Sequence, residues 1–251
     1  MKPVRYARSV GLLMAMFLWG CVASFEPQVS SSGQVSSSVP TAKYVQEGLE
    51  VSVEEFVSAN KSRHAFDADV ASHGVLALYV RVENKGARDY TVRQQDIQAF
   101  LGEEGLAPIY GYKAAKRGAR RDYVGKALVN TVLWGPLALY FGLPTMVASV
   151  AHTRSVNKNI EQHFQRLEFS DAVLKPGEAA TGFAYFEMPK RLERLEALAV
   201  EINAGVDGKD GQQGEKIAYK FSLPALAVSR LDSQPSNGEI QGGNRLALDG
   251  Q

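Results

Sequence analysis

The clearest structural signal in this chain is Leu76-Ala77-Leu78-Tyr79-Val80-Arg81-Val82. Its aliphatic residues at positions 76, 78, 80 and 82 stand two residues apart, so in an extended backbone they share one face. Such alternation predicts a β-strand with one buried face. Residues 84–86, Asn-Lys-Gly, follow directly as a turn signal and end the strand.

Shorter segments with the same alternation lie on both sides of this strand. They are residues 49–53, 89–92, 97–101, 182–187, 197–203 and 216–223. Turn signals separate them, and the best is Lys175-Pro176-Gly177-Glu178, in which Pro and Gly preset the backbone angles of a turn. Seven or eight short strands with such punctuation are typical of a sandwich. We therefore expect a mainly β fold, an antiparallel β-sandwich.

Two parts of this pattern resemble the immunoglobulin-like domains of small secreted bacterial lipoproteins. The first is residues 80–84 followed by residues 90–92, and the second is residues 174–178 leading into Gly182 and Phe183. The resemblance implies an immunoglobulin-like sandwich. The Cys–Trp–Cys core of antibody domains is absent, so an antibody-type domain is excluded.

Composition limits the classes of function. The 251 residues are 45% hydrophobic and 22% charged, which is enough to bury a globular core. The 28 Lys and Arg against 27 Asp and Glu exclude a strongly basic nucleic-acid binder as the default. A single cysteine excludes a disulfide framework and a cysteine-built zinc site.

The N-terminus has the features of a secretion signal. Lys2, Arg5 and Arg8 precede an uncharged stretch over 9–19, which is too short to span a bilayer but fits a signal-peptide core. The next residues, Leu18-Trp19-Gly20-Cys21, resemble a bacterial lipobox. The resemblance implies that the signal peptide 1–20 is removed and that the Cys21 thiol carries a diacylglyceryl group. It also implies that this lipid anchor attaches the protein to a membrane.

The residues after Cys21 suggest where the protein goes. In Gram-negative lipoproteins an Asp at this place favours the inner membrane, whereas this chain has Val22 and Ala23. The resemblance therefore implies a cell-envelope protein, an outer membrane lipoprotein facing the periplasm. Residues 21–42 are rich in Ser and predict a flexible linker. The sandwich domain is expected over 43–228, and the Gly-rich residues 229–251 predict a disordered tail.

A segment of different character, residues 110–166, interrupts the strands. A basic run over 113–126 is followed by residues 127–151, which carry no charge. This apolar stretch is long enough for a transmembrane helix, but Gly135-Pro136 and Gly142-Leu143-Pro144 break it. We expect a helical insertion over about 113–166.

Three interpretations of the insertion stay open. It packs on its own sandwich as a buried helical pair, it dips into the membrane as a hairpin beside the lipid anchor, or it forms a protein interface, including self-association. The candidate contact residues are Lys113, Lys116, Arg117, Arg120, Arg121, Lys126, Trp134, Tyr140 and Phe141.

Motifs for catalysis are missing from the sequence, since there is no Gly-x-Ser-x-Gly, His-Glu-x-x-His or Gly-rich phosphate loop. We expect no enzyme, no cofactor, no metal site and no nucleic-acid partner, and we expect His64, His73, His152 and His163 to be solvated or partly packed. The favoured function is a non-catalytic, membrane-anchored lipoprotein whose sandwich binds another envelope component. The alternative is a lipid-contacting accessory protein that acts through residues 113–158.

Overall fold

The computed structural model describes residues 24–32, 35, 41–120, 153–189, 194–195, 197–206, 216–224 and 226–227 of the chain. The described part is mainly β, with two antiparallel sheets packed face to face. The predicted β-sandwich is confirmed. The candidate site lies on helices that cover the outer face of one of these sheets.

Sheet A has the strand order β1-β2-β3-β8-β6. Its strands are β1 (Ala42–Gln46), β2 (Leu49–Glu55), β3 (Val75–Asn84), β6 (Pro108–Ile109) and β8 (Ala179–Glu187). The predicted strand at 76–82 is therefore β3. It lies at the centre of the sheet and pairs with β2 over residues 78–84 and with β8 over residues 75–83.

Sheet B has the order β11-β10-β4-β5, and β7 pairs with β4 beside it. Its strands are β4 (Tyr90–Leu101), β5 (Glu104–Gly105), β7 (Ala172–Leu174), β10 (Leu198–Val206) and β11 (Lys216–Ser222). Two short strands, β9 (Arg194–Leu195) and β12 (Leu226–Ala227), pair with each other.

The core between the sheets, the inner core, consists largely of aliphatic side chains. Sheet A contributes the predicted face of β3 at positions 76, 78, 80 and 82, and all four side chains are fully buried. Sheet B contributes alternating residues such as Leu198, Val200 and Ile202 on β10. Period-two alternation thus describes this core well, because successive strand residues point to opposite faces.

A second core, the outer core, covers the other face of sheet A. Three helices lie there: α1 (Ala59–Phe66), α2 (Gly111–Gly118) and α3, the described helical residues 153–167. We call them the helical layer. The face of β3 toward them holds Val75, Ala77 and Tyr79, and β8 adds Phe183 and Tyr185. β3 is therefore buried on both faces over Val75–Val80, unlike a simple half-exposed strand.

The described flanks of the insertion are part of this outer core. Ala114 and Ala115 of α2 and Val156, Ile160 and Phe164 of α3 are buried against sheet A. These flanks therefore pack on the chain's own sandwich. Residues 127–151, for which the three interpretations were open, lie outside the described residues.

The tether after Cys21 differs from the expectation. Val29 and Val35 are 1% and 6% exposed, and the backbone N–H of Gln28 donates to the carbonyl of His64 at 3.1 Å. Tyr79 also donates its hydroxyl hydrogen to the carbonyl of Ser32 at 2.8 Å. Residues 24–32 therefore make contacts with the outer core that a flexible linker does not imply, and the flexibility of residues 21–42 stays a prediction.

One strand prediction also needs correction. Residues 89–92 and 97–101 were expected as two strands, but β4 runs without a break from Tyr90 to Leu101. The register with β10 shifts between Ile202 and Ala204, and Val92 and Ile97 both face the inner core across an odd spacing. A β-bulge of this kind breaks the alternation in sequence while the strand continues.

Candidate functional site

The candidate site lies on the exposed side of the helical layer, where α2 and α3 run beside each other. Small residues bring α2 close to its neighbours. A Cβ placed on Gly111 would come within 2.9 Å of the carbonyl oxygen of Phe164 on α3, and one placed on Gly118 would come within 2.9 Å of the Val70 side chain. Ala114 and Ala115 complete this buried face. The long polar side chains of α2 therefore point outward.

A groove of about 330 Å³ opens between the two helices on this exposed side. Its lining residues are Lys116 and Arg120 from the α2 side and Arg154, Asn157, Lys158 and Glu161 from α3. Spacings of three and four residues on α3 place its contributors on one helix face. Arg120 and Arg154 flank residues 121–152, so this stretch leaves and rejoins the described chain at one place.

The groove carries an excess of positive charge. Four cations, Lys116, Arg120, Arg154 and Lys158, face one carboxylate, Glu161. The Lys116 Nζ lies 4.0 Å from the Glu161 Oε1, which is a long ion pair. Among the described residues, no acidic side chain forms an ion pair with Arg120, Arg154 or Lys158. Like charges held together this way favour an anion between them.

Two tyrosines lie beside the groove at the start of α2. Tyr110 and Tyr112 stack with ring centroids 6.1 Å apart, and Tyr110 is 58% exposed. The Lys113 Nζ lies 6.0 Å from the Tyr110 ring centroid, and the Lys116 Nζ lies 5.6 Å from that of Tyr112. Contacts of this type hold lysine side chains over aromatic faces while the ammonium groups stay in water.

The N-terminal segment meets the same helical layer from its other side. The Phe25 ring packs edge-on against the His163 ring of α3, with centroids 5.2 Å apart. His163 donates a ring N–H to the carbonyl of Ala65 at 2.7 Å, which ties α3 to α1. The Glu26 backbone N–H donates to the Asp67 carboxylate at 3.1 Å. Residues 24–32 are thus attached to the layer that also carries the groove.

His163 is more deeply buried than the solvated or partly packed histidine expected from the sequence. Its side chain is 1% exposed, and burial lowers its pKa, with the nearby Arg166 acting in the same direction. The carbonyl of Ala65 opposes this shift but does not cancel it. His64 and His73 make hydrogen bonds at the surface, to Gln28 and Asp69. In the described part of the chain, no group of three or more metal-ligating side chains occurs.

The structure separates the predicted contact residues into three groups. Lys113, Lys116 and Arg120 lie on the exposed side of α2, at or beside the groove. Arg117 instead makes a 2.6 Å ion pair with Glu187 of β8. The other predicted contact residues lie outside the described residues: Arg121, Lys126, Trp134, Tyr140 and Phe141. The predicted lipidation site, Cys21, lies outside them as well.

Four residues of the site were not singled out from the sequence. Arg154 and Lys158 lie about thirty residues beyond the basic run, and the packing of α3 beside α2 brings them to it. Tyr110 and Tyr112 precede the run, and a count of charges does not find them. The signal that could have found all four is the helical period of polar residues on either side of the apolar stretch.

The outer face of sheet B shows a different surface. Its lysines are paired: the Lys216 Nζ lies 3.6 Å from the Asp96 carboxylate, and the Lys220 Nζ lies 3.4 Å from that of Glu201. Paired charges on an exposed sheet offer little net attraction to a charged ligand. In the described part of the chain, helices long and apolar enough to cross a membrane do not occur.

Comparison with known proteins adds little to this description. No family model matches the chain, and no curated protein matches it in sequence. Among solved structures, the chain is similar to ycdA of Bacillus subtilis, which is named as a candidate lipoprotein. The match has 9% sequence identity and a TM-score of 0.30, and covers 72% of this chain and 38% of that one. The chain thus spans well under half the length of that protein.

Proposed function

We propose that this protein is a non-catalytic envelope lipoprotein, anchored through Cys21, whose helical layer faces the membrane and contacts lipid headgroups. The attachment of residues 24–32 to the helical layer carries this proposal. Phe25 lies four positions after Cys21, so a fully extended chain keeps the anchor within about 14 Å of the Phe25 backbone. A lipid attached at Cys21 holds the helical layer, and not sheet B, near the bilayer.

The charge distribution supports the same orientation. Among the described residues, Arg120, Arg154 and Lys158 at the groove have no carboxylate partner, whereas Lys216 and Lys220 of sheet B are paired with carboxylates. Cations near an anionic membrane surface each contribute about 1 kcal/mol of attraction. Acyl chains contribute about 0.8 kcal/mol for each buried methylene group, so lipid and cations together form a stable two-part attachment. From the residues after Cys21, we place the protein in the outer membrane, facing the periplasm.

The first test concerns the anchor itself. Cys21→Ser removes the only thiol, so the variant is expected to lose palmitate labelling and to leave the membrane fraction. Labelling that persists in the variant contradicts the lipid-anchor proposal.

The second test concerns orientation. Cys21 has no free thiol once acylated, so a single introduced cysteine can be labelled with a fluorophore. Ser155→Cys on α3 and Ser222→Cys on β11 are matched, because both serines are exposed. In proteoliposomes with spin-labelled lipid, we expect strong quenching at position 155 and weak quenching at 222. Equal quenching at both positions contradicts the orientation.

A second candidate function is the presentation of the sandwich to another envelope component. Strand β1 favours it, because this edge strand of sheet A exposes Tyr44 and Val45 to 50% and 56%. An exposed edge offers unpaired backbone groups to a strand of a partner. Pull-down of the intact lipoprotein from detergent-solubilised envelope, compared with a Val45→Lys variant, tests this candidate. Association through residues 127–151 stays a further prediction.

A further inference from the structure

We infer that the groove between α2 and α3 binds the phosphate groups of anionic phospholipids; this inference deepens the proposed membrane contact and rests on it. The groove lies where Lys116, Arg120, Arg154 and Lys158 converge from two helices. The occupant we assign is the headgroup layer of a bilayer.

The chemistry of the lining favours a phosphate. Two guanidinium groups, on Arg120 and Arg154, can each give two parallel N–H donors to phosphate oxygens. The Lys158 ammonium adds a compact charge beside them. Within the described residues none of these three cations has a carboxylate partner, so a phosphate displaces no existing ion pair there.

The surroundings of the groove favour a membrane surface over a free anion. Tyr110 and Tyr112 stand next to it, and tyrosine is enriched at the headgroup level of bilayers because its ring is apolar and its hydroxyl is polar. Lys113 and Lys116 extend over these rings, as lysines do when they reach from an apolar layer toward phosphate. The groove is open to solvent along the helices, which suits many headgroups on a flat surface.

The position of the N-terminal segment supports the same occupant. Phe25 contacts His163 on α3, the helix that contributes Arg154 and Lys158 to the groove. His163 lies nine positions along α3 from Arg154, a rise of about 14 Å, and the helical turn places the two side chains on opposite faces of the helix. The N-terminal segment therefore attaches the Cys21 anchor to the helix that carries the groove, on the face opposite the groove.

The test uses the full-length mature chain with Cys21→Ser, so that binding depends on the protein surface alone. Vesicles of phosphatidylglycerol mixed with phosphatidylethanolamine are compared with vesicles of phosphatidylcholine in a sedimentation assay. The test variant is Arg120→Gln with Lys158→Gln. The matched control is Lys216→Gln with Lys220→Gln on sheet B, which removes the same charge.

We expect the parent to bind phosphatidylglycerol vesicles and not phosphatidylcholine vesicles. Each cation removed from the groove lowers the partition coefficient about fivefold, so the double variant loses about 25-fold. The sheet B control is expected to change it less than twofold. Thermal midpoints are expected to stay unchanged, since Arg120 and Lys158 are exposed.

Three outcomes overturn the inference. The first is an equal loss in the double variant and in the control, because binding then follows net charge and not the groove. The second is no binding to phosphatidylglycerol. The third is tighter binding to polyglutamate than to the vesicles, because the ligand is then an acidic protein. The assay contains no acylated protein, so its failure is separate from that of the Cys21 anchor and of the orientation.

Discussion

The two faces of sheet A differ in how their cores are built. Toward sheet B, β3 presents Leu76, Leu78, Val80 and Val82 to other strands. Toward the helical layer, the sheet presents an aromatic group around Phe183, whose ring lies 4.9 Å from both Phe56 and Phe66. Strand residues build most of the inner core. The outer core also needs residues 24–32 with Val35, α1, α2 and α3, which come from four separate parts of the chain.

The outer core shows that the described ends of the insertion contribute to the hydrophobic core. The sequence pattern predicts residues 110–166 to interrupt a β-domain, whereas their described ends help to cover the outer face of β3 and β8. The helical layer therefore serves two purposes. Its inner side is core, and its outer side carries the cations of the groove.

The largest effect is expected from replacing residues 113–158 with a Gly/Ser linker. The change removes Ala114, Ala115 and Val156 from the outer core and uncovers the aromatic face of sheet A. An exposed apolar face of this kind leads to aggregation. We expect loss of a cooperative unfolding transition, measured by circular dichroism during heating. A thermal midpoint close to that of the parent would show that only the inner core is essential.

A shorter replacement, of residues 121–152, is the matched control for that deletion. It keeps every described contact of the outer core, and a short linker can close the gap because Arg120 and Arg154 line one groove. We expect its thermal midpoint to stay near that of the parent. A large drop would place part of residues 121–152 in the core.

The next largest effect compares one residue from each core. Phe183 and Leu78 are both fully buried. Phe183→Ala is expected to lower the free energy of unfolding by about 3–5 kcal/mol, and Leu78→Ala by about 2–5 kcal/mol. Val173→Ala, at a 55% exposed position, serves as control and should change it by less than about 0.5 kcal/mol. Urea titration measures all three. A loss below 1 kcal/mol for Phe183→Ala would make the outer core peripheral.

A smaller effect is expected from the N-terminal segment. Val29→Ala removes two buried carbon atoms from the outer core, which lowers the free energy of unfolding by about 1.6 kcal/mol. Faster hydrogen exchange at the Gln28 backbone N–H, which donates to His64, should accompany it. If Val29→Ala changes neither the free energy of unfolding nor the exchange rate at Gln28, residues 24–32 behave as the flexible linker expected from the sequence.

The smallest effect is expected in the pH dependence of stability, through His163 in the helical layer. Burial lowers the pKa of His163 in the folded protein below the ordinary value of 6.5, which applies when the chain is unfolded. The unfolded state then binds the proton more readily, so the His163 contribution to stability is present above about pH 6.5 and is lost as the pH falls below it. We expect His163→Gln to reduce the difference in thermal midpoint between pH 7 and pH 5. An unchanged difference contradicts this assignment.

The strands were predictable to the extent that one of their faces is buried. Leu49 to Val53, residues 76–82, 197–203 and 216–223 all coincide with strands, because alternation with a period of two is a local property of the chain. Strand β1 was missed, since its exposed residues show no apolar face. The continuity of β4 was missed because the polar residues 93–96 interrupt the alternation of apolar residues.

The amino-acid sequence by itself determines the mainly β class, the sandwich and the helical character of residues 111–118. These three features depend on the periodicity of side chains over short distances. The packing of the chain decides the rest. It covers the outer face of sheet A with helices, attaches residues 24–32 to them and brings Arg154 and Lys158 beside Lys116 and Arg120. These contacts join residues as far apart in sequence as Phe25 and His163, and local periodicity carries no information about such pairs.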